Sequence, residues 1–317
     1  MIKIIGGSGF IGTRLSAQLK KENIKFKIID KRRSEAFPNN WEYGDVTKSE
    51  SLLKSLKDTS IIINLAAEHK DNVHPISLYY DVNVDGAKNV CSIAEQLNIK
   101  HIIFTSSVAV YGFAEKETAE DGEFHPFNDY GKSKLESEYI YNAWQIKEKD
   151  RTLVTIRPTV VFGEKNRGNV YNLFQQIASG RFLMIGAGNN KKSMAYVDNV
   201  AAFLQYATSF SSGRHVFNYV DKPDLTMNEL TNIICNALDK RKSNIKIPYT
   251  IGILGGYCFD ILSKITGKEF PISSIRVKKF CARTQFKSNY IEETSFKAPV
   301  SLEQGITNTV QSEFKHL

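Results

Sequence analysis

No apolar run in this chain of 317 residues approaches the ~20 needed to span a bilayer, although 42% of its residues are hydrophobic. A spanning helix is therefore not expected. Cysteine is scarce too: Cys91, Cys235, Cys258 and Cys281 lie too far apart for a Cys-x-x-Cys metal or redox motif, and an intracellular chain would keep them reduced as packing residues. His69 and His74 lack a neighbouring Cys or carboxylate cluster at ligand spacing, so no metal is expected. Internal repeats, low-complexity segments and linkers are also missing. The first residues pass from a short strand into glycines without the apolar segment and cleavage site of a signal peptide, which leads us to expect a cytoplasmic protein. Acidic residues are outnumbered, 34 against 42, and the formal charge of +8 favours anionic partners: nucleic acid, acidic headgroups or a phosphorylated substrate. The charge reads as dispersed and no recognised nucleic-acid motif accompanies it, so nucleic acid is not an expected partner.

What is present centres on Phe104 to Lys134, with Thr105-Ser106-Ser107 at one end and Tyr130-Gly131-Lys132-Ser133-Lys134 at the other. A helix after Asp129 sets Tyr130 and Lys134 four residues apart on one face. A phenol titrates near pH ~10, and a neighbouring ammonium that favours the phenolate brings it toward acid/base work at neutral pH. Ser107 follows the apolar run His101 to Phe104, which places its hydroxyl at a strand's carboxyl end, where open α/β sheets hold ligands. The start of the chain supplies the cofactor side. Ile2 to Ile5 reads as a strand, and Gly6-Gly7-Ser8-Gly9-Phe10-Ile11-Gly12 turns into a helix over Thr13 to Lys20, bringing backbone N–H groups against a diphosphate.

A second strand, Lys25 to Ile29, ends in Asp30, at the position of a ribose-binding acid. That carboxylate favours NAD over NADP, while Lys31, Arg32 and Arg33 either attract a 2′-phosphate or form a solvated turn. Asp45 in Gly44-Asp45-Val46 either meets the adenine or caps the helix Ser49 to Leu56. Ile61 to Ala67 reads as a third strand whose small residues, Ala66 among them, admit a cofactor to the backbone. Asn83, in a helix from Leu78 to Leu97, either braces the site or faces solvent. Leu153 to Ile156 adds another strand. Beyond Gly163 a polar loop leads to a helix from Val170 to Ala178, Met194 to Val200 reads as a helix capped by Asp198, and Val216 to Tyr219 as a returning strand. Thr226 and Glu229 form a capping-box pattern. Ile251 to Ile265 is apolar and flanked by Arg241, Lys242, Lys246, Lys264 and Lys268, which leaves two readings: a core helix, or a helix lying on a membrane.

These motifs together resemble the extended branch of the short-chain dehydrogenase/reductase superfamily over essentially the whole chain. The resemblance implies an α/β fold: a Rossmann-type doubly wound parallel sheet over residues 1–165, to which 193–220 return, with a smaller, mostly helical substrate domain of 166–192 and 221–317. It implies NAD held by Gly6, Gly9, Phe10, Ile11, Gly12, Asp30, Asp45, Val46 and Ala66, and a catalytic set of Ser107, Tyr130 and Lys134, of which the last two also meet the cofactor. Within that branch the segments 66–73, 77–84, 162–173 and 255–268 are similar to bacterial 4-epimerases of N-acetylglucosamine carried on undecaprenyl diphosphate. That similarity implies interconversion of N-acetylglucosamine and N-acetylgalactosamine through a 4-keto sugar for surface polysaccharide (O-antigen) synthesis, at the cytoplasmic face of the inner membrane. Two positions depart from soluble UDP-galactose 4-epimerases: Val160 stands for a sugar-contacting Asn and Lys192 for a diphosphate-binding Arg. A UDP-N-acetylglucosamine 4-epimerase, a nucleotide-sugar 4-ketoreductase and a non-catalytic NAD(P) sensor remain as alternatives. Arg167, Asn169 and Lys192 are either diphosphate contacts or solvated residues, and a homodimer through helices is compatible with the sequence.

Overall fold

Short isoleucine-rich strands alternate with helices along the first half of the chain, and each helix carries the chain back so that successive strands pair in parallel. In chain order, a computed structural model gives β1 (Ile2–Ile5), α1 (Phe10–Lys21), β2 (Phe26–Ile29), β3 (Trp41–Glu42), α2 (Ser49–Ser55), β4 (Ile61–Asn64), α3 (Ser77–Tyr79), a π-helical turn (Tyr80–Asp85) and α4 (Gly86–Gln96). There follow β5 (His101–Thr105), α5 (Asp129–Ile146), β6 (Thr152–Pro158), β7 (Val160–Phe162), α6 (Asn169–Ala178), β8 (Met184–Ile185), β9 (Lys191–Tyr196), α7 (Val197–Tyr206) and β10 (Gly213–Tyr219). The chain ends with β11 (Asp221–Thr226), α8 (Met227–Ala237), β12 (Lys246–Ile247), α9 (Tyr249–Thr266), α10 (Ser274–Cys281), α11 (Asn289–Glu292) and α12 (Leu302–Phe314). The structure describes residues 1–70, 73–113, 116–242, 245–267, 270 and 273–317, the side chain of Lys279 excepted.

The central sheet has seven parallel strands in the order β10-β6-β5-β4-β1-β2-β3. Both of its faces are covered. Leu15 and Leu19 of α1 join Phe203 and Leu204 of α7 in one core, while Leu52, Val90, Tyr141 and Trp144 from α2, α4 and α5 fill another. This is the doubly wound arrangement, and burial on both faces explains why β1 and β6 are buried at every residue. A separate three-stranded sheet, β11-β9-β7, carries a third core in which Phe162, Phe174, Tyr196, Ile234, Ile306 and Phe314 meet beneath α6, α8 and α12. The capping box forms at α8: Thr226 Oγ1 accepts the Glu229 N–H at 3.1 Å, and Glu229 accepts the Thr226 N–H at 2.7 Å.

Two sequence expectations need correction, and a stretch that left two readings loses one of them. Met194, Ala195 and Tyr196 form the end of β9 rather than a helix, because β7 pairs with them on one side and Asp221 Oδ2 takes the Tyr196 N–H at 2.6 Å on the other. Pairing overrides the local pattern. Asp198 consequently falls inside the first turn of α7, which has no side-chain cap, and lies 3.7 Å from Arg14. The apolar stretch Ile251 to Ile265 is helical but not a core helix, since Gly256 is the one buried residue among those of α9. Cys258, on that helix, is exposed and so is not a packing residue. Lys268, counted among its basic flanks, lies outside the described residues. Among the described residues no helix is long and apolar enough to cross a membrane.

Candidate active site

Strand order reverses between β1 and β4, so the loops leaving their carboxyl ends diverge and open a crevice. Gly6 carries the chain out of β1 with φ of +74°, and a Cβ there would stand 2.6 Å from the Ala66 backbone N. Glycine alone fits so close an approach. Gly9 follows, and Phe10, Ile11 and Gly12 open α1 with neither a side-chain cap nor an acidic residue in the first turn. The helix therefore keeps unsatisfied N–H donors and the positive end of its dipole at the mouth of the glycine loop.

Asp30 stands at the end of β2, where its carboxylate accepts the N–H of Ser8 at 3.1 Å and of Arg32 at 2.9 Å. Each oxygen retains a second lone pair for a hydroxyl. The side chains of Lys31, Arg32 and Arg33 are exposed. Asp45 accepts the Thr47 N–H at 3.0 Å and the Thr47 hydroxyl at 2.9 Å, an Asx turn ahead of α2, whose N-cap is Lys48. It does not cap that helix. Val46 is buried, and its carbonyl accepts the Asn89 amide at 2.7 Å. A cradle that a Cβ would fill, uncapped N–H groups and a carboxylate at the second strand's end fit a dinucleotide.

At the next strands the second group assembles. Asn128 caps α5, accepting the Gly131 N–H at 2.9 Å, and Gly131 sits so close to the turn 108–111 that a Cβ would lie 2.6 Å from the Ala109 carbonyl oxygen. This docking brings Tyr130 to Ser107. Ser107 Oγ accepts the Ala109 N–H at 3.1 Å, and its hydrogen bonding to Tyr130 pulls the phenol pKa down against burial, which raises it. Tyr130 is half-buried, and the surrounding protein desolvates its phenol. Lys134 lies one turn on, 2% exposed, with its Nζ 4.5 Å over the Phe104 ring. Burial lowers its pKa to about 7, and Glu138 opposes that shift. The expectation that an ammonium depresses the phenol is thus not what this chain displays by itself: desolvation acts against the charged form of both groups, and the net shift of Tyr130 is upward.

Asn83 takes the bracing role. Its amide donates to the Glu68 carbonyl at 3.1 Å and to Ser133 Oγ at 2.9 Å, and its oxygen accepts the Glu68 N–H at 2.9 Å, so the loop after β4 is tied to α5. Behind the site is a group that the sequence reading missed. Glu138, buried on α5, accepts from Ser106 Oγ at 2.6 Å and from Arg157 Nε at 2.9 Å and Nη2 at 2.6 Å. Arg157 also donates to Tyr111 Oη at 2.5 Å, and Tyr111 to Asn218 at 2.8 Å. The spacing held a signal, since Glu138 continues the Tyr130 and Lys134 face by one more turn.

The three substrate candidates lie on other elements. Arg167 pairs with Glu313 at 2.9 Å and stacks 4.3 Å over Tyr171; Asn169 opens α6; Lys192, on β9, donates to the Ala282 carbonyl at 2.6 Å, with burial lowering its pKa to about 8. Among the described residues there is no cluster of three His, Cys, Asp or Glu side chains that could hold a metal ion.

The model of the NAD dependent epimerase/dehydratase family matches residues 2–219. Over 317 aligned residues the chain is 49% identical to the N-acetyl-α-D-glucosaminyl-diphospho-ditrans,octacis-undecaprenol 4-epimerase of Escherichia coli O157:H7, covering 99% of this chain and 96% of that protein. The fold is shared with the UDP-N-acetylglucosamine 4-epimerase of Bacillus cereus, with a TM-score of 0.76 at 20% identity over 98% of this chain and 97% of the other. It is likewise shared with the UDP-glucuronic acid 4-epimerase of Bacillus cereus solved with NAD, at a TM-score of 0.74, 16% identity and coverage of 98% and 97%.

Proposed function

The chain belongs to the NAD dependent epimerase/dehydratase family, and from that footing we propose that it inverts C4 of N-acetylglucosamine to give N-acetylgalactosamine while the sugar is held on undecaprenyl diphosphate, for surface polysaccharide synthesis. NAD is the cofactor. The observation that carries the reading is the 49% identity, spread over 99% of the chain, to a protein named for that reaction. Residues 1–165 with 193–220 would carry NAD, and residues 166–192 with 221–317 the sugar.

Gly6, Gly9, Phe10, Ile11 and Gly12 would hold the diphosphate of NAD, Asp30 the adenosine ribose, Asp45 and Val46 the adenine, and Ala66, Tyr130 and Lys134 the nicotinamide half. Bound there, NAD supplies a hydride acceptor and donor and a positive charge that favours the Tyr130 phenolate. Tyr130 takes the proton of the C4 hydroxyl and returns it once that carbon has inverted. Ser107 holds the same oxygen throughout, so base and orienting hydroxyl act on one atom. Lys134 orients the ribose and, when charged, supports the phenolate. Between the two proton transfers the 4-keto sugar turns its other face, and no reductant is consumed. Arg167, Asn169 and Lys192 are the candidates for the substrate diphosphate; engaging it would take the exposed Arg167 guanidinium from its pair with the largely buried Glu313. A lipid-linked substrate sets the work at the cytoplasmic face of the inner membrane.

The test is to incubate the purified protein, without added cofactor, with N-acetylglucosamine on undecaprenyl diphosphate and separately with UDP-N-acetylglucosamine, and to resolve the released sugars. N-acetylgalactosamine from the lipid-linked pool alone is expected. Conversion of the nucleotide sugar alone would move the substrate into solution, and no product from either would remove the epimerase reading.

A further inference from the structure

Helix α9 wears its apolar side outward. Ile251, Leu254, Tyr257, Ile261, Leu262 and Ile265 are 41–76% exposed, and at 100° per residue they fall on one face of the helix. The opposite face is the one seated on the protein: Gly252 abuts Ile185, Gly256 abuts Ser274, and Asp260 accepts the Ser274 N–H at 3.3 Å. The remaining charge on α9 is Lys264, exposed in the last turn. Beside it α10 exposes Ile275 together with Arg276 and Lys278, and the Lys278 ammonium stands 5.5 Å over the Tyr257 ring at the border of the apolar face.

The charge of the chain is concentrated here as well, contrary to its reading as dispersed. Residues 240–283 hold ten Lys and Arg against two Asp and Glu, a balance of +8 that equals the formal charge of the whole protein. The rest of the chain is neutral in sum. An apolar helix face bordered by basic residues fits the boundary between anionic headgroups and acyl chains. It suits a second copy of this chain poorly, because face-to-face pairing would bring two such positive regions together.

We propose that α9 and α10 dock the protein on an anionic phospholipid surface, the six apolar side chains entering the headgroup boundary while Lys264, Arg276 and Lys278 meet the phosphates. The purpose of that docking rests on the lipid-linked reading above, since the sugar would be presented at the same surface. The physical grounds do not.

The experiment is flotation of the full chain with vesicles of phosphatidylcholine alone or mixed with phosphatidylglycerol, without substrate. Binding to the mixed vesicles that weakens as salt is raised is expected, as is its loss in Ile251→Glu/Ile261→Glu, a change at exposed positions that leaves the circular dichroism spectrum and melting point intact. Lys278→Ala should weaken vesicle binding about fivefold, the equivalent of ~1 kcal/mol per basic residue near such a surface. The wild type and the Ile251→Glu/Ile261→Glu variant are also assayed on a short-chain isoprenyl-diphosphate N-acetylglucosamine that is soluble without vesicles, where equal turnover is expected. Failure of the wild type to float, or flotation unchanged by the double substitution, overturns the docking proposal. Loss of self-association in the double variant, without any vesicle binding in the wild type, would make the face an interface between copies instead. Absence of turnover by both proteins counts against the epimerase reading and leaves the flotation result standing.

Discussion

In the proposed mechanism Lys134 serves the chemistry, and its burial comes at a cost to stability. Because burial lowers its pKa to about 7, the unfolded chain binds more protons than the folded one from there up to the ordinary lysine value of ~10.4. Its contribution is therefore most unfavourable below about pH 7, and stability recovers as pH rises through that window. Lys134→Met should be inactive yet more stable at pH ~6, by on the order of 1 kcal/mol or more, with the gap closing toward pH ~10. Urea midpoints across the pH range check this, and a gap independent of pH would contradict it. Tyr130→Phe is expected to abolish turnover while NAD stays bound, read as the NAD released on denaturing the purified protein beside activity. The pair itself was legible in the sequence because i and i+4 spacing is a local property of a helix. Glu138 shares that face but passed unread, since its partners Ser106 and Arg157 come from β5 and β6 and only tertiary structure brings them together. The same holds for Asn83, whose spacing left two orientations open until Ser133 and Glu68 were seen to hold it.

At the scale of elements, the site depends on how closely two of them approach. Gly131→Ala places a methyl 2.6 Å from the Ala109 oxygen, so α5 must back away from the Ser107 turn. A stability loss of about 1–3 kcal/mol is expected from the overpacking, with a fall in kcat on the order of 100-fold because Tyr130 shifts against Ser107. Denaturation midpoints and single-substrate kinetics separate the two effects, and an unchanged kcat would show that the docking is not needed. Gly6→Ala meets Ala66 in the same way and should strip the purified protein of NAD. Glu138→Ala leaves Arg157 buried without its carboxylate and should cost about 3–5 kcal/mol. The glycine loop and Asp30 could be read from sequence because a strand, a turn and a helix follow one another within thirty residues. The end of β9 could not, since Met194 to Tyr196 are held by strands that arrive from Val160 and Asp221. Nor could the outward face of α9, because an apolar 15-mer looks the same whether its neighbours bury it or leave it open.

The whole molecule joins a sheet with two covered faces to a smaller core around β7, β9 and β11, and the last helix, α12, closes the smaller one. Phe314, at its end, is buried among Tyr171 and the residues of α8 and α12. Parallel order in the large sheet follows from the alternation of strands and helices that the sequence displays, whereas the concentration of charge over residues 240–283 becomes meaningful only once α9 is seen to lie exposed beside it. The central claim, that Ser107, Tyr130 and Lys134 carry out a redox-neutral inversion at C4, is tested most directly with lipid-linked N-acetylglucosamine deuterated at C4, incubated with the purified protein and no added cofactor. The expected product is N-acetylgalactosamine that retains the deuterium at C4, formed by the wild type and not by Tyr130→Phe. Product that has lost the label to solvent, or that forms only when NADH is added, would contradict it.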